Sequence, residues 1–174
     1  MFLEAAARIG ELLANTSDAV VLNVGSSSRQ FYCAQQPYIW NDVMKPLLAR
    51  DNALINIDTK AQPGVHLVRD ATDLHLTDVA DVVLCCNILE HVENPATVLH
   101  SAHLALKKGG HIVIESPTAY PYHADPIDTM FRISTTEEWD ALMEPIGFSR
   151  VSFEILIRKI NPSHASVLVV YKSV

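Results

Sequence analysis

Short apolar runs rich in β-branched residues, separated by stretches with helical spacing, constrain this chain more than any other feature of its sequence. Residues 19–24 (AVVLNV), 53–57 (ALINI), 65–68 (VHLV), 81–86 (DVVLCC) and 111–115 (HIVIE) are nearly continuous in apolar character. That pattern belongs to strands buried on both faces of a parallel sheet. Between them, Phe2, Ala6, Ile9 and Leu13 recur at helical spacing, with Glu4, Arg8 and Glu11 on the other face. Ile39, Val43, Leu47 and Leu48 predict a helix that Pro46 shortens or kinks. Residues 95–106 predict another, leading through a turn at Gly109-Gly110 into the fifth strand. Residues 135–146 predict a helix capped by Thr135 or Thr136, with Glu138 in its first turn and Gly147 closing it. Runs at 151–157 and 166–171, joined through Asn161-Pro162-Ser163, predict a terminal hairpin. The alternation implies an α/β chain: a mostly parallel sheet, helices on both faces and an antiparallel strand near the end. Such sheets bind ligands at the carboxyl ends of their strands.

The length of 174 residues suits one domain spanning 1–174. A net charge of -7 has the wrong sign for gripping a phosphate backbone over a broad face, so a nucleic-acid partner is not expected. The apolar runs are broken too soon to cross a bilayer, and residues 1–15 lack the basic-then-apolar order of a signal peptide. Cys33, Cys85 and Cys86 cannot pair completely, which fits a cytoplasmic location. The terminal hairpin leaves a sheet edge on which a second copy can pair, so a homodimer is the partner state considered.

The polar residues fall at the strand ends. Gly25 stops the first strand, where backbone can approach a ligand and the following N–H groups can meet a carboxylate or phosphate; the alternative is an ordinary turn glycine. Asp58 follows the second strand, where an acid accepts hydrogen bonds from ribose hydroxyls or simply caps a loop. Its distance from Gly25 requires an inserted element between them. Asp70-Ala71 follows the third strand and either meets an adenine amine or caps a turn.

The segments NVGSSSRQ, NIDTK, VRDATDL, DVVLCCNILEHV and LKKGGHIVIESP resemble, in order, the motifs of class I S-adenosylmethionine-dependent methyltransferases over roughly residues 19–148. The LEHV segment and the LKKGG turn are the specific part. The resemblance implies a Rossmann-like, mostly parallel sheet of about seven strands, helices on both faces, a C-terminal antiparallel hairpin, and S-adenosylmethionine as cofactor. It implies that Asp58 binds the ribose, that Asp70 with Ala71 binds the adenine, and that the loop Asn23, Gly25, Ser26 and Ser27 meets the methionine moiety. Asn87, Ile88 and Leu89 would line the cofactor. Two positions depart from the family: Asn23 stands where an acid is usual, and Ser27 where a second glycine is usual. Asn23 predicts a weaker bond to an ammonium group, and Ser27 predicts a loop on another path.

Methyl transfer needs in-line positioning, with a general base only when the acceptor must lose a proton. His91 is the first candidate base, against a purely structural hydrogen bond; His123 is the second. The loop AYPYHADPIDTMFR brings Tyr120, Tyr122, His123, Asp125, Asp128 and Arg132 towards the strand ends, as a substrate lid or as a loop anchored by an Asp128–Arg132 ion pair. His100, His103 and His111 lack a cysteine or carboxylate at matching spacing, and no metal is expected. The leading reading is methyl transfer to a small-molecule acceptor. The alternative is a catalytically inactive relative that acts as a binding or regulatory partner. A nicotinamide enzyme ranks behind both, because GSSSRQ lacks the glycines that pyrophosphate approach requires.

Overall fold

The computed structural model describes residues 1–124 and 127–174. The apolar runs become β1 (Val20–Val24), β2 (Ala53–Asp58), β3 (Leu67–Val68), β4 (Ala80–Cys86) and β5 (Leu106–Ala119), with β6 (Phe148–Ile157) and β7 (Ala165–Ser173) forming the hairpin. All seven join one sheet in the order β3-β2-β1-β4-β5-β7-β6. β1 to β5 pair in parallel, and β7 runs antiparallel between β5 and β6. This is the Rossmann-like architecture expected from the alternation. The strand order reverses between β1 and β4, which opens a crevice above their carboxyl ends.

Because each parallel strand is covered on both faces, its successive side chains feed two cores. On β4, Val83 and Cys85 join the core under α3 (Pro95–Ala105) and α4 (Thr136–Met143). Val82 and Leu84 join the core under α1 (Leu3–Leu12). The adjacent cysteines diverge for the same reason. Cys85 is fully buried, with its thiol pushed up to about 12 by burial, whereas Cys86 edges the crevice. Thr135 caps α4: its hydroxyl accepts from Glu138 N–H at 3.3 Å and donates to Glu138 Oε2 at 2.7 Å, a reciprocal box that satisfies one exposed helix donor. None of the described helices is long and apolar enough to cross a membrane.

Three local expectations change. The helix expected from residue 39 is π-helical over Ile39–Met44, after another π-helical stretch at Phe31–Gln35, and tightens into α2 (Lys45–Leu48) only at Pro46. Proline has no N–H for the Asp42 carbonyl four residues back, and its ring crowds that carbonyl, so the preceding turn widens. The third strand shrinks to two residues, because His66 Nδ1 accepts the Asn56 N–H at 2.9 Å in place of a ladder carbonyl. The glycines expected to turn the chain before β5 lie inside that strand, as an irregularity where pairing with β4 jumps between Ala80 and Val82. Gly109 there holds φ +83°, a left-handed conformation that glycine adopts without strain.

α1 crosses the widened segment so closely that a Cβ on Gly10 would collide with the Asp42 carbonyl oxygen. A glycine-to-alanine change inside a helix ordinarily stabilises by about 0.5–1 kcal/mol. Here the collision reverses the sign: Gly10→Ala is expected to destabilise by about 1–3 kcal/mol, measured by urea denaturation against the parent.

Candidate active site at the carboxyl ends of the strands

The crevice above β1, β2 and β4 is a cleft of about 820 Å³. Asn23, Gly25, Ser26, Ser27, Asp58, Asp70, Ala71, Asn87 and Ile88 all line it, which gathers residues from four strand ends at one place. Leu89 does not: it lies in the short 3-10 turn Leu89–His91 and packs into the core at 1% exposure.

The loop after β1 is fixed by β2. The N–H groups of Gly25 and Ser26 both donate to Ile57 O, at 2.9 and 3.0 Å, and Ser27 N–H donates to Asp58 Oδ2 at 2.9 Å. These amides therefore hold the loop and are not the anion-binding donors expected of them. Gly25 is required on two counts: its φ is +71°, and a Cβ there would stand 2.8 Å from Ile88 Cδ1. Ser27 holds φ +59°, so it follows the left-handed path a glycine would take rather than leaving it. The bond to Asp58 supplies the compensation that a non-glycine residue needs there.

Asp58 also accepts from Lys60 N–H at 3.0 Å, so it is a loop cap. One accepted bond per oxygen leaves lone pairs on both, and the residue still faces the cleft. Asp70 Oδ1 accepts from Thr72 N–H and Thr72 Oγ1 at 2.9 and 2.8 Å, an Asx turn at the cleft rim. Asn23 donates through Nδ2 to Asn56 Oδ1 at 3.0 Å, and Asn56 donates in turn to the Gly64 carbonyl at 2.9 Å. That chain fixes which way the Asn23 amide lies and keeps its carbonyl oxygen as the unspent acceptor. Asn87 holds φ +50°, a conformation asparagine tolerates, and its N–H donates to the Glu115 carbonyl at 2.8 Å.

At the other end of the cleft the turn Leu89–His91 meets the loop after β5. His91 Nδ1 lies 2.6 Å from Ile127 O. A carbonyl only accepts, so Nδ1 carries the proton and Nε2 presents a lone pair. The His123 ring packs edge-on against His91, with centroids 5.1 Å apart, and against Tyr120 at 4.9 Å. Asp128 latches this loop. Its buried carboxylate accepts from His123 N–H, Met130 N–H and Arg132 Nη2 at 3.0, 2.8 and 2.7 Å, while Thr129 N–H donates to Glu90 O at 2.8 Å. Burial works to raise the Asp128 carboxyl, but these donors outweigh it and hold it at about 2. The Asp128–Arg132 pair is thus the loop's anchor. Tyr122 points to solvent at 65% exposure, and Asp125 lies outside the described residues.

Sequence reasoning missed Glu90 and Arg158. Glu90 is fully buried, and neither carboxylate oxygen has a hydrogen-bond partner among the described residues; burial pushes its carboxyl up to about 7. Its signal was the acid inside an apolar LEHV segment. Arg158 reaches the cleft from the β6–β7 turn and stacks over the Phe2 ring at 5.5 Å, a placement that only the closed sheet reveals.

The family model described as "Methyltransferase domain" matches residues 3–154. Over 59 residues the chain is 37% identical to the ubiquinone biosynthesis O-methyltransferase of Hydrogenovibrio crunogenus, a match covering 33% of this chain and 24% of that enzyme. It is 43% identical over 44 residues to the enzyme of the same name from Azotobacter vinelandii, covering 23% of this chain and 19% of that one. The chain thus spans no more than about a quarter of the curated relatives it matches. Among solved structures, the 1,6-didemethyltoxoflavin-N1-methyltransferase of Burkholderia thailandensis, with its bound substrate and S-adenosylhomocysteine, superposes with a TM-score of 0.68. That likeness covers 98% of this chain and 80% of that one at 18% identity, and so concerns the fold alone.

The latch yields a prediction. Asp128→Asn removes the charge that Arg132 faces in a buried setting and is expected to destabilise by about 3–5 kcal/mol, with faster proteolytic cutting within 120–134. The sign with pH follows from the lowered carboxyl: the contribution is fully present above about pH 4 and is lost as pH falls towards 2. An acid-unfolding profile of the parent should therefore steepen in that window, and that of Asp128→Asn should not.

Proposed function

The chain belongs to the methyltransferase-domain family, whose model covers residues 3–154, and from that premise we propose that it transfers the methyl group of S-adenosylmethionine to a small-molecule acceptor, working as one domain over 1–174. The observation that carries this reading is the convergence of Asn23, Gly25, Asp58 and Asp70 on one cleft at the carboxyl ends of β1, β2 and β3. The residues fit the cofactor. Asp58 keeps acceptor capacity for two ribose hydroxyls, the Asp70–Ala71 rim offers an acceptor and a backbone amide for adenine, and the Asn23 carbonyl oxygen accepts from the ammonium of the methionine moiety. When bound, the cofactor supplies an electrophilic methyl group on a sulfonium.

The chain's own residues do the rest. The Ile88 side chain and Gly25 backbone narrow the middle of the cleft, which sets the depth at which a ligand lies. His91 Nε2, with its tautomer fixed through Ile127, is placed to take a proton from a protic acceptor, and His123 and Tyr120 line the same end. The aromatic lining favours a compact acceptor over a polymer. The inactive, regulatory alternative gains no support from the site, since Ser27 keeps the loop's path and Asn23 keeps an acceptor in place. The free cysteines agree with a cytoplasmic setting. A homodimer through β6 is supported by Ile155 and Ile157, exposed on the sheet edge.

Calorimetric titration tests the reading, with S-adenosylmethionine and S-adenosylhomocysteine as ligands and NADH as control. Saturable binding of the first two is expected, with Asp58→Ala weakening it by roughly a hundredfold, the equivalent of about 3 kcal/mol for lost charge-assisted bonds. Absence of binding at millimolar ligand would overturn it.

A further inference from the structure

We propose that Glu90, His91 and His123 form a binding site for a first-row divalent cation of the zinc or cobalt type at the acceptor end of the cleft. Whether the ion binds stands on these residues alone; what it does rests on the methyltransferase reading.

Convergence is the first support. One ligand atom from each of the three residues lies within 4.8 Å of the others, and this is the only such group of histidine, cysteine or carboxylate side chains among the described residues. His91 Nε2 stands 3.8 Å from Glu90 Oε1. Around a tetrahedral ion with bonds of about 2.0–2.1 Å, ligand atoms sit about 3.4 Å apart, so small side-chain adjustments close the set.

Protonation is the second. A metal-binding imidazole must offer a lone pair, and its other nitrogen is usually tied to a carbonyl or carboxylate. His91 Nδ1 is tied to Ile127 O at 2.6 Å. His123 Nδ1 faces two acceptors, Pro121 O and Asp128 Oδ2, each at 3.2 Å. Both rings therefore keep Nε2 as the basic atom. The Asp128 carboxylate lies beside the His123 ring, where it can steady the imidazole as a ligand.

The third is Glu90. A fully buried carboxylate with no hydrogen-bond partner for either oxygen is costly, and in its charged form it is satisfied by a cation. Arg132, a nearby cation, donates Nη2 to Asp128 at 2.7 Å and Nη1 to the Phe131 carbonyl at 3.0 Å, and makes no hydrogen bond to Glu90. An ion held by Glu90 would satisfy the orphaned oxygens.

Two imidazoles and one carboxylate are the donor set of catalytic zinc sites with an open coordination position, and they suit zinc or cobalt better than calcium or magnesium, which favour oxygen ligands. The open position would face the cleft. An acceptor hydroxyl bound there loses its proton to solvent more readily and presents its oxygen as an anion, so with the ion present His91 serves as ligand and the ion does the activating. Because His123 comes from the latched loop and the other two from the turn after β4, the ion would also tie that loop to the sheet.

The test uses the full chain, stripped with a chelator and titrated with Co²⁺ alone while visible d–d absorption is followed, and in parallel with Zn²⁺ by calorimetry. One ion per chain is expected, displaced by Zn²⁺ and not by Mg²⁺. Glu90→Gln and His123→Ala should each weaken affinity beyond the roughly 10–100-fold that an outer-shell change costs, while His100→Asn leaves it unchanged. Glu90→Gln removes only a charge, so thermal unfolding checks that it remains folded. No cobalt absorption and no zinc heat at millimolar ion, or equal affinity in all variants, would overturn the site. S-adenosylmethionine titrated into the stripped protein separates the two readings: cofactor binding without ion binding sinks the metal site alone.

Discussion

A parallel strand covered on both faces has room for a polar side chain only where it stops or where a neighbouring strand supplies the partner. That constraint shapes this molecule. Val21, Leu22, Val24, Val83 and Cys85 fill the interior, and the polar groups are driven to the carboxyl ends of the strands. Asn23 is an exception that is paired within the sheet, with Asn56 directly across β1 and β2. Asp58 then serves two ends at once. It caps the loop that follows β1 through Ser27 and its own loop through Lys60, so a ligand reaching Asp58 meets a carboxylate already held in place.

The His91 end of the cleft is built differently. Its side chains come from a 3-10 turn and a long connection, elements with few regular backbone bonds of their own, and order is supplied by one buried carboxylate. Asp128 takes three donors and fastens the connection to itself, while Thr129 and His91 fasten it to the turn after β4. The cleft thus has one end carried by regular strands, with Asn23 and Asp58, and another carried by irregular connections, with His91 and His123.

The strands and the gathering of Asn23, Gly25, Asp58 and Asp70 at one cleft were legible because they depend on local pattern. Continuous β-branched runs can do little but fill a covered sheet, and an acid at the end of such a run has nowhere to go but the rim. What sequence did not show depends on contacts between distant segments. Pro46 announced a kink, but the close approach of α1 to the widened turn at Gly10 depends on a contact between separate segments. Ser27 argued for a different loop path on propensity, and the bond to Asp58 overruled it. Leu89 looked like its neighbours Asn87 and Ile88, yet a 3-10 turn sends it inward. The meeting of Glu90 and His91 with His123 joins residues on two connections, a relation no spacing rule encodes.

The two edges of the sheet are unequal. On one side β3 contributes two residues, too few to template another strand. On the other, β6 runs for ten residues with Ile155 and Ile157 exposed. Growth of a strand-added fibril requires that every molecule both accept and offer an edge, so that one contact leaves another open. Two molecules that met through β6 would each cover that edge, and association by this route would stop at a closed pair instead of extending into a filament.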